Sequence, residues 1–470
     1  MLSYIFSQLL LSVVLFILCY VVIMNGLGIV QMIAALLVTP SLLSEENRVD
    51  YRYISSSENV TPISLLCPAY NEEATIVESV RSMLNLNYTN YGIVVINDGS
   101  TDKTLDTVIS TFNLHKIIYP VRERLATKKV KGIYYNPDIP RLWLIDKENG
   151  GKADALNAGI NLSRFPYIVT VDADSLLDPD ALLHVAAAFL QSKYTIAVGG
   201  MIRVANGCTI KDGKILKAAL PRTMWALFQA NEYIRSFMTG RIGWSILNSL
   251  LVISGAFGAF RKEAVVQAGG FSTGTLGEDM DMIIKLHRYM LSKKYKYQIS
   301  FLPAPVCWTM APENLGSLFQ QRRRWQIGLI EALGRYRDMF FNRRFGKLGM
   351  LAVPYFAIFE MLSPIIETAG YVLIPLAWFF GFLSLNGLAL FFLAAFGFGA
   401  VSSVGSLAVE ELSNTKNFTV KEAIILSFLS IAENLFFRQI TVFFRLIGIF
   451  TYRRQKNTWG SIRRKRFKTT

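Results

Sequence analysis

Two stretches of this chain contain no Asp, Glu, Lys or Arg: Met1 to Ser44 and Thr368 to Val409. About 20 apolar residues cross the hydrocarbon of a bilayer, so both tracts are long enough to span it. The first is expected to cross once, within about Ile5–Leu37, its extra length absorbed by tilt. That length, and the lack of a basic leader, weigh against a cleaved signal peptide. The second tract suits a helical hairpin, with Ser384-Leu385-Asn386-Gly387 as its turn. The flanks, about Lys347–Glu367 and Lys421–Phe450, mix Glu360, Glu367, Glu433, Arg438 and Arg445 with apolar residues. Such charges are costly in a span unless they face protein or water. These segments therefore either lie in the interface or cross and line a channel.

The formal charge is +15. The basic residues crowd the membrane junction, at Arg322–Arg324, Arg335, Arg337, Arg343, Arg344, Arg453, Arg454 and Arg463–Lys468. That placement fits the positive-inside rule and anionic lipid, and disfavours nucleic acid as a partner. The four cysteines are scattered with no CxxC pair, indicating neither a disulfide framework nor a zinc site. If the middle of the chain and the basic C-terminus share the cytosolic side, an even number of crossings follows Trp325. Two give three crossings in all, which is the expectation; four would give five. The implied division is an anchor (1–44), a cytosolic domain (45–318), a junctional element with interfacial helices (319–367), a hairpin (368–410) and a final helix with a basic tail (411–470).

The middle region alternates strands and helices. Ile63–Cys67, Gly92–Asn97 and Tyr167–Asp172 read as strands, while Glu73–Leu86 and Ala153–Leu162 have helical spacing. This predicts a Rossmann-like α/β domain with a mostly parallel sheet, whose ligands bind beyond the carboxyl ends of the strands. Polar clusters stand at each of those ends: Pro68–Glu72, Asn97–Ser100 and Asp172-Ala173-Asp174. Together they read as one site.

Asp172 and Asp174 are alternate residues at a strand end, a spacing that suits Mg2+ or Mn2+ held by one or two carboxylates plus phosphate oxygens. Asp98 lies in an Asx-type turn and can accept a hydrogen bond from a uracil N–H. Asn149-Gly150-Gly151-Lys152 offers a flexible backbone before a helix, with Lys152 as a cation for a diphosphate; it lacks the P-loop spacing. Asp279, after Gly277-Glu278, either caps the helical stretch Met280–Leu291 or acts as a general base. Ser254-Gly255 permits a sugar to approach the backbone. Gln321-Arg322-Arg323-Arg324-Trp325 can hold a diphosphate and stack a sugar, or anchor the interface. Trp459–Arg464 reads as a basic tail or a flap over the diphosphate.

In sequence order, Tyr70-Asn71-Glu72, Asp98-Gly99-Ser100, Asp172/Asp174, Gly277-Glu278-Asp279 and Gln321/Arg324/Trp325 resemble the motif set of the inverting family-2 glycosyltransferases that build polysaccharides in membranes. These are the cellulose, hyaluronan, chitin and poly-N-acetylglucosamine synthases. The likeness covers about Ile63–Leu329. It implies a GT-A fold and a UDP-sugar donor. Tyr70, Glu72 and Asp98 would meet uridine, and Lys152, Gln321 and Arg324 the diphosphate. Asp174 with Asp172 would hold the metal. Asp279 would be the base, and Trp325, with Glu278, Ser254 and Gly255, would face the acceptor. Trp459 and Arg463 are similar to a gating segment of some relatives. No FxVTxKG gating loop is present, and too little chain follows Phe450 for a cyclic-dinucleotide domain. The expected function is a processive, plasma-membrane β-glycan synthase whose partners are its UDP-sugar, the nascent polysaccharide and lipid. UDP-glucose is the favoured donor, UDP-N-acetylglucosamine the runner-up. A single-addition transferase acting on a lipid-linked acceptor is a further alternative.

Overall fold

The computed structural model describes residues 2–47, 60–412 and 419–453. Trp459 and Arg463 lie outside these residues. The strands in chain order are β1 Ile63–Ala69, β2 Tyr91–Asp98, β3 His115–Ile117, β4 Val130–Tyr135, β5 Leu142–Lys147, β6 Tyr167–Val171 and β7 Ser175–Leu177. They continue with β8 Thr195–Val204, β9 Thr209–Lys211, β10 Lys214–Lys217, β11 Phe257–Arg261 and β12 Gln298–Thr309. Ten form one sheet in the order β3-β4-β5-β2-β1-β6-β11-β8-β12-β7. Its centre, β5-β2-β1-β6, is parallel throughout. β11 enters antiparallel between β6 and β8, and β12 runs parallel to β8. The expected GT-A architecture is present.

The central strands are buried along nearly their whole length, as befits a sheet covered by helices on both faces. The chain therefore leaves apolar surroundings only where the strands end. Because the centre is parallel, the ends of β1, β2, β5 and β6 open on the same edge. β11 begins on that edge too, since it pairs Phe257 with Val171.

The apolar tracts are helical. Leu2–Asn47 is a single helix of 46 residues. The hairpin is formed by Ser363–Phe379 and Leu385–Leu412, the latter passing through a π-helical turn at Leu393–Gly397. Its turn lies just before the expected one: Gly381 takes φ +75°, and Ser384 instead caps the second arm, accepting from the Gly387 N–H at 3.2 Å. Leu348–Met361 meets the first arm at 41°. Lys421–Thr451 is helical over 31 residues. Among the described residues, three helices are long and apolar enough to cross a membrane, or four if the bent pair forms one span.

The charges in the flanks face protein. Arg438 pairs with Glu367 at 3.0 Å, and Arg235 with Glu433 at 2.7 Å. Asn231 donates to Glu433 at 2.6 Å, and Arg445 donates to Gln326 at 2.9 Å. Gly448 lies against Arg323 and Gln326, and Phe437 stacks on Phe228 at 5.2 Å. From Glu433 to Gly448, roughly 22 Å of helix at 1.5 Å per residue, this segment repeatedly meets the helices Met224–Arg235 and Leu315–Arg335. It runs along the α/β domain rather than away from it.

Candidate active site

The strand-end clusters interlock before any ligand is considered. Asn71, just beyond β1, adopts φ +56° and receives the Thr101 N–H on its side-chain oxygen at 2.8 Å. Its own N–H donates to Ser100 Oγ at 3.1 Å. The Tyr70–Glu72 and Asp98–Asp102 loops are thus stapled together. Tyr70 is exposed, whereas Glu72 is buried and accepts from Thr75 Oγ1 at 3.0 Å.

Asp98 is buried and its carboxylate organises the neighbouring loop. Lys147 Nζ lies 2.6 Å from Oδ1, the Gly150 N–H donates to Oδ1 at 3.0 Å, and the Gly151 N–H donates to Oδ2 at 2.7 Å. Lys147 was not anticipated. Fully buried, it also donates to Asp154 at 2.6 Å and to the Glu148 carbonyl at 2.6 Å, so its three protons have three acceptors. The signal lay in the register, which puts Lys147 opposite Asp98 at the paired ends of β5 and β2. Gly99 and Gly151 have φ +67° and +87°, and a Cβ on Gly99 would stand 2.7 Å from the Asn149 nitrogen. The glycines are therefore required by backbone conformation and, at Gly99, by close approach.

Lys152 ties four motifs together. Its Nζ lies 2.6 Å from Asp172, 3.2 Å from Glu278 and 3.2 Å from the Gly255 carbonyl. The Gly255 N–H in turn donates to Asp279 Oδ2 at 3.0 Å. A Cβ on Gly255 would come within 2.9 Å of Lys152 Nζ, so a larger residue here would displace the Lys152 ammonium. Ser254 Oγ accepts from the Ala256 N–H at 3.3 Å and shapes that turn. Burial opposes the charge on Lys152, but Asp172 and Glu278 outweigh it and hold its pKa above the usual lysine range. Burial, with Glu278 adding repulsion, pushes Asp279 up to about 6. A carboxylate poised there can take a proton from a hydroxyl near neutral pH.

Asp174 is buried at the same strand end as Asp172. Among the described residues no cluster of three or more His, Cys, Asp or Glu side chains converges. The donor set is two carboxylates, which suits a hard cation completed by phosphate oxygens and water rather than an all-protein cage.

The helix Leu315–Arg335 brings in the last motif. Gln321, Arg324, Trp325, Gly328, Glu331 and Arg335 recur at helical spacing, so they form one stripe. Its contacts define what it faces. An added Cβ on Gly328 would stand 2.9 Å from the Gly277 Cα, so the two backbones touch. Glu331 accepts the Leu276 N–H at 2.8 Å, and Arg335 bonds Asp281 at 2.5 Å. Trp325 therefore sits about one turn from the point where Gly277, two residues before Asp279, crosses its helix. The indole is 43% exposed, leaving a face for a ligand. Arg322, expected within this run to help hold a diphosphate or anchor the interface, is instead buried, packing 4.5 Å from the Trp325 ring while making a two-pronged contact with Glu232 at 2.6 and 2.7 Å. Gln321 is buried and Arg324 half-buried.

Residues 64–266 match the family described as Glycosyl transferase family 2, and residues 167–399 match Glycosyl transferase family group 2. The chain belongs to the family-2 glycosyltransferases. It is 31% identical over 312 residues to a poly-beta-1,6-N-acetyl-D-glucosamine synthase of Staphylococcus epidermidis, covering 66% of this chain and 63% of that one. A synthase of the same name from Staphylococcus aureus strain COL is 31% identical over 304 residues, covering 65% and 62%. The match thus spans somewhat under two thirds of the length of these relatives. A solved mannosyltransferase from Pyrobaculum calidifontis, in complex with GDP-Man and Mn2+, superimposes with TM-score 0.47 at 18% identity over 88% of this chain and 99% of that one.

Proposed function

We propose that the chain is a membrane-embedded synthase that transfers N-acetylglucosamine from its UDP derivative onto the end of a growing polysaccharide. The carrying observation is the contact chain Asp172–Lys152–Gly255–Asp279, with Gly277 crossing Gly328 beside Trp325. It supports a donor side, a base and a sugar platform within one cleft. The favoured donor UDP-glucose, which the motifs did not single out, gives way to the runner-up UDP-N-acetylglucosamine, because the relatives at 31% identity are poly-N-acetylglucosamine synthases.

In this reading Tyr70, Glu72 and the loop held by Asp98 receive uridine. Lys152 and Arg324 face the diphosphate. Asp172 and Asp174 would hold Mg2+ or Mn2+, which when bound offsets charge on the departing phosphate. Asp279 removes the proton from the acceptor hydroxyl as that oxygen attacks the anomeric carbon and UDP leaves, inverting the centre. Trp325, oriented from beneath by Arg322, holds the acceptor sugar in line, a contribution of orientation rather than of chemistry. Three crossings, formed by the N-terminal helix and the hairpin, with Lys421–Thr451 lying in the interface, keep the catalytic domain on the cytosolic side of a plasma membrane. The polymer would leave between these helices.

Purified protein in lipid, incubated separately with UDP-N-acetylglucosamine and UDP-glucose plus Mg2+ or Mn2+, tests the reading. Long chains from the first donor alone, cleaved by an N-acetylglucosaminidase, are expected. Polymer from UDP-glucose alone, or one sugar added per acceptor, would refute it.

A further inference from the structure

Glu232 belongs to none of the sequence motifs. It stands on the helix Met224–Arg235, 90 residues before Arg322 in the chain. Its two carboxylate oxygens each accept from one terminal nitrogen of Arg322, at 2.7 and 2.6 Å. A two-pronged contact of this kind fixes the plane of the guanidinium as well as its position. The Arg322 side chain is buried and its Nε has no hydrogen-bond partner among the described residues, so Glu232 balances a charge held away from water.

That guanidinium lies over two aromatic rings. Its carbon is 4.5 Å from the centre of the Trp325 ring and 5.9 Å from that of Phe437, which in turn stacks on Phe228 at 5.2 Å. Arg322 thus packs on the indole while Trp325 stays exposed. The place of Glu232 is itself fixed by its neighbours along the helix. Asn231 donates to Glu433 at 2.6 Å, and Arg235 pairs with the same carboxylate at 2.7 Å. The helix Met224–Arg235 is therefore clamped to Lys421–Thr451 on either side of Glu232. Burying an ion pair carries a desolvation cost that an apolar pair of similar volume avoids. Packing alone gives no reason for a charge beneath the indole, whereas holding the ring in one plane does.

We infer that Glu232 is a positioning residue for the acceptor: through Arg322 it sets the plane of the Trp325 indole on which the polymer's terminal sugar stacks. The inference rests on the acceptor role proposed above for Trp325. Its consequence is product length. The number of sugars added to a chain is the ratio of the transfer rate to the rate at which the chain leaves. A tilted platform slows the first and speeds the second.

The test uses the full chain in lipid. Calorimetric titration of a β-linked N-acetylglucosamine pentasaccharide into UDP-saturated protein reads acceptor affinity. Gel filtration of the product made from UDP-N-acetylglucosamine reads chain length. Glu232→Gln keeps the shape of the side chain but not its charge. It should weaken pentasaccharide binding and shorten the product about 10-fold each, with UDP affinity within about 2-fold of wild type. In a Trp325→Ala background the same substitution should add less than about 2-fold, since the ring it orients is gone. A merely structural role would cost the same factor with or without the indole, and that result overturns the inference, as does unchanged acceptor affinity in Glu232→Gln. If Glu232→Gln does not fold, Glu232→Leu combined with Arg322→Met removes both charges, which is tolerated better than one left unpaired. That pair must show the same dependence on Trp325. Wild-type protein making no polymer from UDP-N-acetylglucosamine overturns the proposed function, whereas additive losses in protein that does make it overturn the positioning role alone.

Discussion

Replacing Asp279 by Asn should stabilise the protein at pH 7.5 while removing its activity. In the folded state this carboxyl titrates near 6 instead of 3.8, because of burial and the neighbouring Glu278. Between those values the folded state binds more protons than the unfolded one, so stability falls as pH rises through the window and the full penalty is present above it. A shift of 2.2 units at 1.36 kcal/mol per unit is about 3 kcal/mol. Asp279 keeps some solvent contact, which screens the effect to about 2 kcal/mol. For a domain of this size that amounts to roughly 4 °C or more in Tm. By pH 5 the wild-type carboxyl is mostly protonated in the fold, and about half of the advantage should disappear. Loss of the base should cost about 10²–10⁴-fold in turnover. UDP binding, which uses other residues, should persist. Thermal-shift measurements at pH 7.5 and pH 5, with calorimetric titration of UDP, provide the readout. A variant no more stable than wild type at pH 7.5, or one retaining normal turnover, would refute the reasoning.

Wild-type turnover should fall about tenfold per pH unit below about 6 as Asp279 takes up its proton, with UDP affinity largely kept; a flat rate down to pH 5 would exclude Asp279 as the base. Lys147→Met leaves Asp98 and Asp154 facing each other in the interior, so a loss of about 3–5 kcal/mol is expected, with weaker UDP binding as the Gly150–Gly151 loop loosens. Chemical denaturation of the isolated variant checks this, and an unaltered midpoint would contradict it. Gly328→Ala drives a methyl group into the Gly277 backbone, which cannot yield like a flexible side chain. Polymer yield should fall at least about 10-fold through misplacement of Asp279 against Trp325, with UDP affinity near normal; equal loss of both would indicate general unfolding instead.

The apolar tracts and the alternating middle of the chain were legible because burial writes itself into composition and period. An uncharged stretch of 42 residues such as Thr368–Val409 has few soluble resting places, and Ile93–Ile96 can hardly be anything but a covered strand. The motif residues were legible as well, since loops at strand ends carry chemistry in short, compact words. Lys147 was not, nor was the turn of Arg322 away from a diphosphate toward Glu232, for both depend on partners distant in the chain: Asp98 and Glu232.

Sequence alone determined which side chains are present, which stretches seek lipid, and that the sheet would open its polar ends on a single edge. Only the tertiary structure decided that Lys152 joins four of the motifs, that Gly277 rests on Gly328, and that Lys421–Thr451 runs beside the catalytic domain. Hydrophobic period is a local property of consecutive residues, whereas close approach of backbones and pairing of buried charges arise only once separate elements pack.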